Sequence, residues 1–175
     1  MKNKFLFSLT LLTFLVITFL GGCHYSMSGA STIAETIQVE DFFNNTDLGP
    51  ANLGQTFTNR LKDYYQQNSS LKVVKENGQL VIDGMITTYQ ITQLAPVSGG
   101  SNQTGDLAAL TRLTIAVRVN YTDTLEPKNS FKERNFSFYA DFPNTQDLIS
   151  VQENLERKIM DQIFIDLFNA TIANW

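Results

Sequence analysis

Cysteine and histidine each occur once in this chain, and they are neighbours, Cys23 and His24. A single thiol closes no internal disulfide and builds no cysteine-rich metal site. A single imidazole among small polar residues (HYSMSGAST, 24–32) lacks the rigid support that a nucleophile–histidine–carboxylate arrangement needs. No HExxH sequence and no glycine-rich phosphate loop is present. The sequence therefore nominates no catalytic residue, no metal and no other cofactor. A carboxylate pair is the one enzymatic chemistry left formally open. A second set of reactive groups is cationic. Arg112 and Arg118 share one side of an alternating segment, about 20 Å apart at ~3.3 Å per residue. A guanidinium fork can pair with phosphate in bidentate fashion, and this separation fits the extent of a large anionic head group. Lys132 and Arg134, on the next segment, are candidates for the same surface. The competing reading makes all four solvated, partner-facing or carboxylate-paired side chains. An acidic balance, 17 Asp and Glu against 13 Lys and Arg, argues against nucleic acid as the anion.

The thiol has a chemistry of its own. Lys2 and Lys4 precede an apolar run from Phe5 to Leu20, which ends in Leu20-Gly21-Gly22-Cys23. The run is shorter than the ~20 residues of a spanning helix and has the layout of an export signal. Its last four residues resemble the lipobox of bacterial lipoproteins, in which the cysteine takes a diacylglycerol. Residues 1–22 are then a removable signal peptide, and Cys23 is the lipid attachment point. The mature chain loses two lysines, so its net charge moves from −4 to −6. Two or more acyl chains hold a protein stably to a membrane. Residues 23–32 are then a lipidated tether, with a reach of about 30 Å, and residues 33–175 form a single domain.

The cationic candidates need a sheet to hold them. Ile37-Gln38-Val39 leads into Phe42-Phe43 as a short strand. Leu53, Phe57, Leu61 and Tyr64 or Tyr65 recur at helical spacing, predicting a helix to about Gln67. Leu71–Val74 and Leu80–Ile82 flank Glu76-Asn77-Gly78, which reads as a hairpin turn. Leu80, Ile82, Gly84 and Ile86 alternate, and the alternation slips by one residue toward Tyr89 and Ile91, predicting a bulge. Ala95 to Asp106 is a polar loop. Leu113, Ile115, Val117, Val119 and Tyr121 give the clearest strand face, with Arg112, Thr114, Ala116, Arg118 and Asn120 opposite. Pro127-Lys128-Asn129 is a turn, and Phe136, Phe138, Ala140 and Phe142 form another strand face. Val151, Leu155, Ile159, Ile163 and Leu167 mark a long helix, with Ser150 and Glu153 at capping-box spacing. The expected fold is α+β, a two-layer sandwich. Two helices pack on one face of a mainly antiparallel sheet of four to five strands.

This layout, with Cys23-His24-Tyr25-Ser26, Gly29-Ala30-Ser31, Gln55-Thr56-Phe57-Thr58, Glu76-Asn77-Gly78, Ala109 through Ile115 and Ala173-Asn174-Trp175, resembles the LptE-type lipoproteins of lipopolysaccharide assembly. The resemblance covers essentially the whole mature chain and rests on order and spacing more than on any one motif. It implies an outer-membrane lipoprotein facing the periplasm. Its partners would be lipopolysaccharide, the membrane through its acyl chains, and an LptD-type β-barrel translocon that it plugs and helps assemble. A charged content of 17%, below the ~25% of typical soluble domains, agrees with an enclosed protein. So would a sheet face of Thr, Asn, Ser, Tyr and a few Arg, suited to a polar barrel interior. The alternative is a periplasm-facing envelope adaptor or pilotin-like lipoprotein with no lipopolysaccharide role.

Overall fold

A computed structural model describes residues 32–94 and 109–172. The expected signal peptide, Cys23, the expected tether before Thr32, the polar loop expected over Ala95–Asp106 and Ala173-Asn174-Trp175 lie outside the described residues. In chain order the elements are β1 (Thr36–Val39), β2 (Phe43–Asn44), α1 (Leu53–Asn68), β3 (Lys72–Val74), β4 (Leu80–Gln93), β5 (Leu110–Asp123), a 3₁₀ turn (Pro127–Asn129), β6 (Phe131–Pro143) and α2 (Leu148–Thr171).

Alternation decides which way the long strands face. Leu113, Ile115, Val117 and Val119 are fully buried and Tyr121 nearly so, under both helices. From α1, Leu53, Phe57, Leu61 and Tyr65 point into the same layer. From α2 come Leu155, Ile159, Met160, Ile163, Phe164 and Leu167. The helices meet over the sheet through Phe57 and Phe164, whose rings pack edge to face at 5.0 Å. Phe57 also lies 4.7 Å from Phe42. One apolar cluster results, with both helices on one face, as the patterning predicts. The bulge in β4 is present, between Ile86 and Thr88, and it keeps both Ile86 and Tyr89 on the buried side.

The sheet departs from expectation in its pairing. It has six strands and is mixed, with the order β3-β1-β4-β5-β6 and β2 beside β4. The three long strands β4, β5 and β6 are antiparallel, but β1 runs parallel to both β3 and β4, and β2 parallel to β4. Glu76-Asn77-Gly78 therefore turns no hairpin. The segment passes across β1 to join the two strands on either side of it. Asn77 does take the positive φ that its type favours, 58°. Gly78 is required for a different reason: a Cβ there would stand 2.6 Å from the backbone nitrogen of Gln38. The Gly78 N–H donates to Gln38 Oε1 at 3.1 Å, and the Gln79 N–H donates to Thr36 Oγ1 at 3.1 Å. Such a short link is possible because β3 ends opposite Gln38 and β4 begins opposite Ile37, so the two ends lie level across β1.

The capping box is not formed either. Asp147 is the N-cap of α2, without a side-chain capping bond. Ser150 lies inside the first turn, where its hydroxyl donates back to the Asp147 carbonyl at 2.6 Å.

Candidate functional site

Because the odd-numbered residues of β5 fill the core, its even-numbered residues stand on the face without helices. Arg112 lies between Thr92 of β4 and Asp141 of β6, and Arg118 lies between Met85 and Asn135. The two arginines share that face, as the spacing predicts, but their surroundings differ. Arg112 donates from Nε to Asp141 Oδ1 at 2.7 Å and from Nη2 to Oδ2 at 2.8 Å. Its guanidinium carbon sits 3.6 Å from the centre of the Tyr139 ring. The hydrogen bonds from Arg112 hold the Asp141 carboxyl below its ordinary pKa, and those to Asp141 raise that of Arg112. The fork of Arg112 is thus already filled by a carboxylate. Arg118 is exposed and forms no ion pair among the described residues.

Sequence reasoning missed the apolar neighbours of Arg118. Met85, directly beside it, is 38% exposed, and Phe43, beside Met85 on β2, is 72% exposed. Residues directly opposite in neighbouring strands project from the same face. Phe43, Met85, Arg118 and Asn135 therefore form one row across four strands, apolar at one end and cationic then amide-bearing at the other. Ile37-Gln38-Val39 leading into Phe42-Phe43 reads in the sequence as one short strand. Only the pairing of β2 with β4 reveals that Phe42 is buried and Phe43 is not.

The remaining two cations separate. Lys132 and Glu133 stand opposite the single residue Asn120, where the register of β5 and β6 shifts, and Glu133 has a φ of 51°. Arg134 pairs with Val119, a core-facing position, so it belongs to the helix side of the sheet and not to the surface of Arg112 and Arg118. The cause is strand parity, since Arg134 shares the even-numbered side of Phe136, Ala140 and Phe142. Its guanidinium carbon lies 5.4 Å and 5.3 Å from the ring centres of Phe131 and Phe136.

A third polar group, not read from the sequence, lies on the covered side. The Tyr89 hydroxyl donates to Glu156 Oε1 at 2.8 Å, and Gln152 Nε2 donates to the same carboxylate at 2.9 Å. Burial, reinforced by the Glu156 carboxylate, keeps the Tyr89 phenol protonated far above its usual range. This trio ties α2 to the bulged part of β4. Among the described residues, no group of three or more His, Cys, Asp or Glu is placed to hold a metal.

A profile of LptE proteins, described as lipopolysaccharide-assembly, matches residues 34–171. The chain belongs to the LptE family. That match covers every strand and both helices of the LptE domain, including the row centred on Arg118. A search of curated protein sequences finds no significant match. Solved structures show the same fold. The domain is similar to an uncharacterized lipoprotein B from Nitrosomonas europaea, with a TM-score of 0.55 and 13% identity over 87% of this chain and 91% of that one. It is also similar to a hypothetical protein from Chlamydia trachomatis, with a TM-score of 0.54 and 11% identity over 81% and 99% of the two chains. A protein from Xanthomonas campestris gives a TM-score of 0.53 and 10% identity over 82% and 86%. Among the described residues, no helix of this LptE protein is long and apolar enough to cross a membrane.

Proposed function

We propose that this protein is lipidated at Cys23 after removal of residues 1–22. Held by a short tether at the outer membrane and facing the periplasm, it plugs and helps assemble an LptD-type β-barrel and assists lipopolysaccharide on its way to the outer leaflet. The observation that carries the reading is the family match over residues 34–171. The open sheet face supports it. Thr114, Asn120, Asn135, Ser137 and Tyr139 offer neutral hydrogen-bonding groups over most of that face, which suits the polar interior of a barrel. Arg118 is the leading candidate for a lipid A phosphate, with Met85 and Phe43 beside it for the apolar part of the same molecule. Arg112 contributes by exchanging Asp141 for phosphate, and Lys132, opposite Asn120, adds charge at the Arg118 end. Arg134 belongs to a different surface.

The test is recovery of the native lipoprotein from detergent-solubilised envelopes, together with depletion in cells. The expected result is a stoichiometric barrel partner and a loss of surface lipopolysaccharide on depletion. A lipoprotein that brings down no barrel and whose depletion leaves the glycolipid unchanged would make the adaptor reading correct. Cys23→Ala should remove the acyl mass from the mature protein, and a retained lipid mass would refute the anchor.

A further inference from the structure

β6 pairs with β5 on one side only, so its other edge is free among the described residues. The Asn144 N–H donates to the Ala109 carbonyl at 2.9 Å, which makes Ala109 and Asn144 a hydrogen-bonded pair. Pairing keeps that register without interruption from Leu110 opposite Pro143 to Val119 opposite Arg134. Backbone groups alternate in direction along an antiparallel strand. The N–H and C=O of Phe142, Ala140, Phe138 and Phe136 therefore point to β5, and those of Asp141, Tyr139, Ser137 and Asn135 point outward. All four outward residues are exposed. Pro143, which has no N–H to offer, falls at an outward position at one end, and the bulge at Lys132 and Glu133 interrupts the strand at the other. Proline and bulges are the usual means of blunting an edge. Here they flank a span of four outward residues and leave that span open.

The open span borders a groove of about 680 Å³ between β6 and α2, lined by Phe131, Arg134, Asn135, Phe136, Asp166 and Asn169 among others. Arg134 carries its charge into this groove over two phenyl rings and forms no ion pair among the described residues. We propose that the edge of β6 from Asn135 to Asp141 receives an extended segment of the barrel partner as an added strand, with an acidic side chain of that segment meeting Arg134. An extended peptide supplies donors and acceptors at the repeat that the outward groups require. Its carboxylate supplies the direct ion pair that Arg134 lacks among the described residues. The inference rests on the barrel reading above and adds the place and mode of contact.

Amide hydrogen exchange on the full lipoprotein, alone and in the purified complex, tests it. The amides of Ser137, Tyr139 and Asp141 should exchange quickly in the free protein and at least tenfold more slowly in the complex. Those of Phe138 and Ala140 should be protected in both. Ser137→Pro removes one outward N–H while sparing the bonds to β5, and should lower barrel recovery about tenfold. Ser137→Ala removes only the hydroxyl and keeps that N–H, so recovery should fall far less than in Ser137→Pro. If Ser137→Pro fails to fold, the alternation of protection in the wild-type complex decides alone. Fast outward amides in a complex that does contain the barrel overturn strand addition and spare the barrel reading. Failure of the wild-type protein to recover any barrel overturns both. Protection that arises from the lipoprotein's own concentration, or from lipopolysaccharide alone, also overturns the proposal.

Discussion

The two faces of the sheet are made by the same three long strands and obey different rules. On the covered face, side chains from β4, β5, β6 and both helices interlock with almost no solvent access, and the few polar groups present are hydrogen-bonded. On the open face, Arg112 is clamped by Asp141 and Tyr139 while Arg118, on the same strand, lies beside exposed Met85. Burial is concentrated where the pattern is strict, and the side chains proposed for binding stand where the pattern leaves freedom. The contrast within β5 is the sharper lesson. Two arginines of identical type and parity differ in availability because one has a carboxylate directly across the strand pair and the other has an amide, Asn135.

The comparison breaks if a covered-face truncation proves cheap. Phe57→Ala removes a ring packed on both Phe42 and Phe164 and should cost about 3–5 kcal/mol in denaturant unfolding. Tyr89→Phe deletes the phenolic donor to buried Glu156 and should cost about 1–3 kcal/mol by the same measurement. Neither should alter the exposed row around Arg118. On the open face the ranking inverts. Arg118→Ala should leave the melting temperature within about 2 °C of wild type but weaken lipopolysaccharide binding, and Arg112→Ala/Arg118→Ala should weaken it further. The loss should be greater at low salt, where screening is weaker. Unchanged glycolipid binding by the folded double variant would remove these residues from the binding surface and leave the family membership untouched.

The smallest expected effect is a titration. A depressed carboxyl pKa contributes stability that is present above the ordinary carboxylate value and is lost as pH falls through the folded value. The Arg112–Asp141 pair should therefore persist from neutral pH to about pH 4 and fail only below it. In Arg112→Ala the Asp141 carboxyl should titrate higher than in the wild type, by carbon-detected NMR. An unmoved titration would mean that the pair is not formed in solution.

Local pattern made much of this architecture legible. The buried face of β5, the wide apolar stripe of α2 and the slip after Ile86 all follow from spacing alone, because each is decided within a few residues of chain. The insertion of β1 between β3 and β4 is a long-range event. Asn77 and Gly78 announce a tight reversal but carry no information on what lies beneath it, so the hairpin reading follows locally and fails globally. The same limit applies to the surface. Parity identifies the side of Arg118 but not its neighbours, and the exposure of Phe43 depends on a two-residue strand paired in parallel with β4. The side of Arg134, by contrast, is legible in the sequence, since its parity is that of Phe136 and Ala140.

The crossing of residues 75–79 over β1 has a mechanical consequence. β1 enters the sheet at Thr36 with a neighbour bonded along each side, and its turn-facing side is strapped by Gly78 and Gln79. Tension applied from the N-terminus therefore runs along β1 and loads the bonds of both ladders together in shear, with no free margin from which to peel them one by one. A single-molecule pull from residue 32 should show one high rupture force, and a gradual unzipping would show that the strap does not hold. With the lipid anchor proposed at Cys23, the strand that would bear the load is thereby gripped from both sides.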